Sequence, residues 1–425
     1  MASESSGAAE REDLDERLLE KLLAEAHTAA PMDLPGVVNR CATAIGLESV
    51  VIYLVDIQQR HLVPLTHGLP VIDLDASVAG WTYRTLDLRV EECGDGALTA
   101  WLPLVDGVER LGILGVRTVA LDPVRLRRSR MLASVLAMAI TSKRAYSDSF
   151  ARHSRTEPMD LPAEMLRALL PPRTIGSEHA VSTAVLEPAY HIGGDAFDHS
   201  LTQSTLHAAI FDAMGHNLAS GLTTSVALAG CRNARRAGAE LPELVDTIDQ
   251  ALGRWLPDQY CTGIVTQLDL TEGIFRWCNC GHPPPLLIRG QQVVDAALER
   301  TPQPPMGLPA QFATEPRAAY EVVLEPGDRV LLYTDGVTES RIEGGTEFGL
   351  RRFTDSIIRG AAAGELAPEA LRRIIHSVLD LQKNVLRDDA SLLLIEWRSP
   401  RPRSAPLAPA PAPGPATSSA RVIRT

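Results

Sequence analysis

The sequence predicts an α+β protein of two unlike domains: a smaller α/β domain over residues 31–145 and a larger domain over residues 173–397. Three observations predict it. The chain has 425 residues, enough for two full cores. In its first third, apolar runs of strand length alternate with longer stretches of helical period. In its second half, four carboxylate-bearing turns each lie beside a run of strand character.

Composition narrows the function. Aromatic residues make up 4% of the chain, which predicts aliphatic cores. A net charge of -12 argues against a general nucleic-acid binder, whose basic surface must replace counterions, and against attachment to an anionic membrane. The first residues lack a basic segment followed by an apolar one, so no signal peptide is expected. The longest apolar run, Met131 to Ile140, is too short to span a bilayer. The six cysteines form no C-x-x-C pair, and Cys278 and Cys280 share one face of an expected strand. They read as small apolar residues in a reduced, cytoplasmic protein.

Taken in order, residues 1–9 are small and polar and are expected to be disordered. From Glu10 to Ala26, Leu14, Leu18 and Leu22 and then Leu19, Leu23 and Ala26 recur at helical spacing. This helix either pairs two chains or packs on its own domain. A helix from Asp33 to Ile45 precedes strands at 50–55 and 61–65, a short helix at 77–85, strands near 88–92, 100–104 and 110–119, and a closing helix from Ser129 to about Arg144. The linker, 146–172, carries Pro158 and Pro162, which stop a helix near Thr156 and start another near Asp160. The tail, 398–425, is rich in Pro and Ala and cannot bury a core.

Three stretches of the smaller domain, Ser49 to Asp56, Ser77 to Thr85, and Trp101 to Val105 with Leu111 to Val116, resemble a GAF sensor domain. The resemblance implies a small-molecule ligand or signalling through a homodimer. His61, His67 and Cys93 read as structural or surface residues rather than contacts to a haem or a redox input.

The chemistry lies in four acidic motifs of the larger domain: His191-Ile192-Gly193-Gly194-Asp195-Ala196-Phe197-Asp198, Phe211-Asp212-Ala213-Met214-Gly215-His216-Asn217, Tyr333-Thr334-Asp335-Gly336, and Arg387-Asp388-Asp389-Ala390-Ser391. Carboxylates gathered in one place repel one another and raise each other's pKa. They coexist around a cation, and all-oxygen ligation suits Mg²⁺ or Mn²⁺ rather than zinc. Two such ions activate a water and clamp a phosphoryl group. Neither a G-x-S-x-G elbow, a P-loop nor an H-E-x-x-H motif occurs.

This ordered set, with the lead-in Leu166-Arg167-Ala168-Leu169-Leu170-Pro171-Pro172, the turn Gly281-His282-Pro283-Pro284 and Pro305-Met306-Gly307-Leu308, resembles the SpoIIE-like branch of the metal-dependent protein phosphatases, related to protein phosphatase 2C. The resemblance spans roughly 165–397 and implies a four-layer αββα sandwich with two divalent cations, Mn²⁺ or Mg²⁺, at one end. It implies that Asp212 bridges the ions, that the Ala213 carbonyl is a backbone ligand, that Asp335 and Asp388 complete the first ion's shell, and that Asp195 lies near the second. His216 is implied as proton donor to the leaving oxygen, with a hydrogen-bonding turn residue as the alternative. Asp198 and Asp389 are either outer-shell acids or structural residues, and His282 is expected to hold its turn. The family often has Gly where this chain has Asn217, a residue that tolerates positive φ. The implied activity is a serine/threonine phosphatase acting on a phosphoprotein such as an anti-sigma-factor antagonist in bacterial partner switching. A catalytically silent binding module is the alternative, and a small-molecule phosphatase or a nuclease is a weaker one.

Overall fold

The computed structural model describes residues 20–191, 193–215, 217–308, 312, 316–338, 350–382, 386 and 388–398. Residues 20–28 are the described part of helix α1. Its Leu22 and Ala26 are buried in the N-terminal core, so these turns pack on their own domain. Leu14, Leu18 and Leu19 lie outside the described residues.

After a 3-10 turn at Pro31–Asp33 come α2 (Leu34–Ala44), β1 (Ser49–Val55), β2 (His61–Pro64), β3 (Ile72–Asp73), α3 (Val78–Thr85), β4 (Arg89–Glu92), β5 (Leu98–Asp106), β6 (Glu109–Thr118) and α4 (Pro123–Arg144). The strands form one antiparallel sheet in the order β3-β2-β1-β6-β5-β4. Helices α1, α2 and α4 cover one face, and α3 covers the other. Helix α4 begins at Pro123 rather than at Ser129, because the Asp122 carboxylate accepts the Arg125 N–H and Pro123 occupies the first turn. It ends at Arg144, and α5 (Ser149–Ser154) resumes after a break that sequence reasoning did not place there. Pro158 lies in the next gap and Pro162 opens α6 (Leu161–Leu169).

The rest runs β7 (Thr174–Gly176), β8 (Ala180–Glu187), β9 (Asp195–Leu201), β10 (Thr205–Ala213), α7 (Leu218–Arg236), α8 (Leu241–Trp255), β11 (Cys261–Asp269), β12 (Ile274–Cys280), β13 (Leu286–Arg289), β14 (Gln292–Val294), β15 (Tyr320–Val323), β16 (Arg329–Tyr333), α9 (Asp335–Thr338), α10 (Leu350–Ala362), α11 (Ala367–Leu381) and β17 (Ala390–Trp397). Two antiparallel sheets result, β15-β12-β11-β10-β9 and β14-β13-β16-β17-β8-β7. The reason is visible in β17. Leu393 and Ile395 enter the core between the sheets, whereas Leu392 and Leu394 enter the core under α11. A strand buried on both faces reads as an unbroken apolar run. With α7 and α8 packed outside the first sheet and α11 outside the second, the layers are helix, sheet, sheet, helix. Ala163 and Leu166 of α6 belong to the core of this sandwich.

The smaller domain rests on α11. Arg110 Nη1 donates to Glu369 Oε2 at 2.9 Å, and Arg372 Nη2 donates to Glu369 Oε1 at 2.7 Å and also to the Asp75 carboxylate. Arg372 Nη1 donates to the Gln59 carbonyl at 3.2 Å, and His376 Nε2 pairs with the Gln58 carbonyl at 2.7 Å. Arg110, Glu369, Arg372 and His376 are all buried.

Of the six cysteines, Cys41, Cys231, Cys261, Cys278 and Cys280 are buried, Cys93 is half-buried, and none is disulfide-bonded. Burial pushes the Cys231, Cys278 and Cys280 thiols up to about 12. Among the described residues, no helix is long and apolar enough to cross a membrane.

Candidate metal centre

One end of the sandwich collects the acidic motifs. Strand β9 opens on Asp195 and β10 closes on Asp212-Ala213, and the antiparallel register sets Asp212 directly across from Asp195. In the other sheet, Tyr333 pairs with Leu392, so the residues after β16 and those before β17 leave at the same edge. Asp335 starts α9 there, and Asp388 and Asp389 lead into β17. The carboxylate-bearing turn at Asp335-Gly336 is thus helical. Gly336 is required for its packing: a Cβ there would lie 2.0 Å from the Asp389 carbonyl oxygen. Gly194 serves the other sheet in the same way, since its Cβ would meet the Ala213 carbonyl at 2.6 Å and that of Gly215 at 2.7 Å.

The electrostatics are those of crowded carboxylates. Burial, and then the charges of Asp335, Asp388 and Asp389, push Asp212 up to about 7. Burial, and then Asp212 and Asp389, push Asp195 well above the ordinary carboxylate range. Asp195 and Asp389 are buried, Asp335 is half-buried and Asp388 is exposed. Among the described residues, no group of three Asp, Glu, His or Cys side chains could hold an ion as it stands. The chemistry of the donors nonetheless fits a hard divalent cation. They are all oxygens, drawn from both sheets, and their mutual repulsion is what a cation would relieve.

Asp195, Asp212, Ala213, Asp335 and Asp388 therefore lie at one end of the fold, and His216 lies outside the described residues. Asp198 is elsewhere. It is buried on the helix side of β9, where Arg232 Nη2 and Arg235 Nη1 each reach it at 2.7 Å. Arg232 also donates to the Leu169 carbonyl at 2.7 Å, fastening the end of α6. His282 holds its turn: its N–H donates to Asn279 Oδ1 at 2.9 Å and its Nδ1 lies 3.0 Å from Thr262 Oγ1. Burial lowers its pKa to about 4. Asn217 does not take a positive φ. At φ -117° it caps α7, accepting the Ala219 and Ser220 N–H groups, while Gly215 supplies the positive φ of 87°.

Sequence reasoning missed Thr334 altogether. Its hydroxyl donates to Asp195 Oδ2 at 2.8 Å. The only local signal was a hydroxyl residue closing an apolar strand. It also left open the part played by Asp389, whose Oδ2 accepts the N–H groups of Gly193, Gly194 and Asp195.

Two stacked antiparallel sheets with an acid cluster at one end agree with the four-layer αββα sandwich that the resemblance implies. Residues 202–398, just under half of the chain, match the family described as Stage II sporulation protein E (SpoIIE). The matched stretch includes Asp212, Asp335 and Asp388. The phosphoserine phosphatase RsbU of Bacillus subtilis (strain 168) is 21% identical over 238 residues, covering 56% of this chain and 69% of its own length. Among solved structures, the RsbU and RsbW domains of Rv1364c from Mycobacterium tuberculosis are 28% identical with a TM-score of 0.44. That alignment covers 53% of this chain and 63% of the other, so the chain spans less than two thirds of that relative. The SiaA-PP2C domain of Pseudomonas aeruginosa is 21% identical, covers 55% of this chain and 94% of its own, and has a TM-score of 0.46.

Proposed function

We propose that the protein is a metal-dependent serine/threonine phosphatase acting on a phosphoprotein of the anti-sigma-factor-antagonist type, under the control of its N-terminal domain. One observation carries the reading: carboxylates from both sheets gathered at one end of the fold, with Asp195 and Asp212 raised in pKa, in a stretch that matches a phosphatase family. Asp212 and the Ala213 carbonyl would hold the ions from one sheet, Asp335 and Asp388 from the other, with Asp195 beside the second ion. Bound there, two Mn²⁺ or Mg²⁺ ions supply an activated water and neutralise the phosphoryl oxygens. His216 is assigned the proton that goes to the leaving serine or threonine oxygen. RsbU, a phosphoserine phosphatase, supports the substrate class.

The test is Mn²⁺-dependent hydrolysis of an aryl phosphate by the parent chain, Asp212→Asn and Asp335→Asn. Turnover in the parent alone is expected. A parent without metal-dependent turnover would favour the silent binding module.

Control by the N-terminal domain is supported by the buried junction on α11. This helix packs on β8 and β17, and β17 starts immediately after Asp388-Asp389. The same reading makes that domain GAF-like, with a small-molecule ligand, and the working unit a cytoplasmic homodimer. If deleting residues 1–145 left both turnover and oligomeric state unchanged, control by this domain would be refuted.

A further inference from the structure

Two buried side chains outside the ligand set hold Asp195 from the opposite sheet. Asp389 Oδ2 accepts three successive backbone N–H groups, from Gly193 at 2.8 Å, Gly194 at 2.7 Å and Asp195 at 3.1 Å. An anion seated on consecutive amides in this way fixes the loop that carries them. Thr334 Oγ1 donates to Asp195 Oδ2 at 2.8 Å and accepts the Ser391 N–H at 2.9 Å. The carboxylate is the nearer acceptor for its one proton, since the Asp389 carbonyl lies at 3.5 Å. Thr334 is 0% exposed and Asp389 4%.

We infer that Asp389 and Thr334 are positioning residues rather than ligands. Asp389 sets the path of the Gly193-Gly194-Asp195 loop. Thr334 holds Oδ2 of Asp195 and so sets the orientation of that carboxylate. Each acts across the gap between the sheets, so the second ion's acid is oriented only when both sheets are correctly stacked. This rests on the phosphatase reading above.

The test uses the full chain with Mn²⁺ as probe. Binding is measured by titration calorimetry, and aryl phosphate turnover is followed against Mn²⁺ concentration. Loss of an outer-shell partner weakens metal binding about tenfold to a hundredfold. Thr334→Val is expected to weaken Mn²⁺ binding by that factor and to regain most of its kcat at saturating Mn²⁺, with Thr334→Ser restoring both. Asp389→Asn keeps an oxygen acceptor for the three amides and is expected to stay within a few-fold of the parent, whereas Asp388→Asn is not. Asp389→Ala is expected to lose binding. Because that change can disorder the loop, Thr334→Val and thermal unfolding of each variant accompany it. An active parent combined with unchanged Mn²⁺ affinity in Thr334→Val overturns the inference alone. So does Asp389→Asn as damaging as Asp388→Asn, which would make Asp389 a ligand. A parent that neither binds Mn²⁺ nor turns over overturns the phosphatase reading and this inference together.

Discussion

Two clusters of charge in this molecule, one at the junction on α11 and one at the acidic end, are built on opposite plans. At the junction on α11, two guanidinium groups, Arg110 and Arg372, meet two carboxylates, Glu369 and Asp75, and each charge faces its opposite. At the acidic end, Asp195, Asp212 and Asp389 lie side by side. None of the three is ion-paired among the described residues, and all three have raised pKa values. Burying a charge is tolerated when a partner is buried with it. Where the partner is not part of the chain, the arrangement is costly for the fold and is retained for what it can bind. The junction is therefore built as a structural joint, and the acidic end is the candidate site for chemistry.

The contrast can be broken most directly at the acidic end. Asp212→Asn should lower aryl phosphate turnover by about a thousandfold, ~4 kcal/mol of barrier. Without metal, calorimetry should show its Tm unchanged or raised, because one of several repelling charges is gone. A clear fall in Tm would mean that Asp212 belongs to the structural class. Glu369→Ala should do the reverse. It takes the carboxylate from buried Arg110, leaves Arg372 with Asp75 alone, and should cost about 3–5 kcal/mol in denaturant unfolding. A loss below about 1 kcal/mol would erase the distinction.

Added cation should sharpen the contrast further. Mn²⁺ at a hundred times its Kd should stabilise the parent by ~2.7 kcal/mol and leave Asp212→Asn nearly unmoved. The smallest effect concerns acid. Burial holds His199, His207, His282 and His376 at about 4, below the 6.5 of a free imidazole. The unfolded chain thus takes up protons first. The contribution of these four histidines to stability is full above about pH 6.5 and falls as pH drops toward 4. His376 faces Arg372, Arg60 and Asp75 at the junction and is bound to the Gln58 carbonyl. His376→Gln keeps a donor for that carbonyl and should make the fall slightly shallower.

What sequence could reveal follows from distance along the chain. The strand that ends near Asp212 and the one that leads to Asp335 are legible because an apolar run and the acid beyond it are neighbours. The helix start at Pro123 was legible in principle, since Asp122 and Arg125 are three residues apart, but a run of arginines hid it. Thr334 and Asp195 are 139 residues apart, Asp389 and Gly193 are 196 apart, and Arg110 and Glu369 are 259 apart. No local pattern announces such pairs, because only the stacking of the sheets and the docking of the domains creates them. Asn217 shows a subtler limit. Its tolerance of positive φ was a sound generalisation, but Gly215 two residues earlier had already taken that task.

The distribution of thiols has a practical consequence. Five of the six cysteines are shut inside the cores, and only Cys93, hydrogen-bonded to Thr99 at the outer edge of the N-terminal sheet, meets solvent. The native protein thus offers a single attachment point for a maleimide dye without any engineering. A dye placed there sits in the N-terminal domain, far along the chain from the phosphatase motifs, so its emission can report on events in that domain while the catalytic half remains chemically untouched.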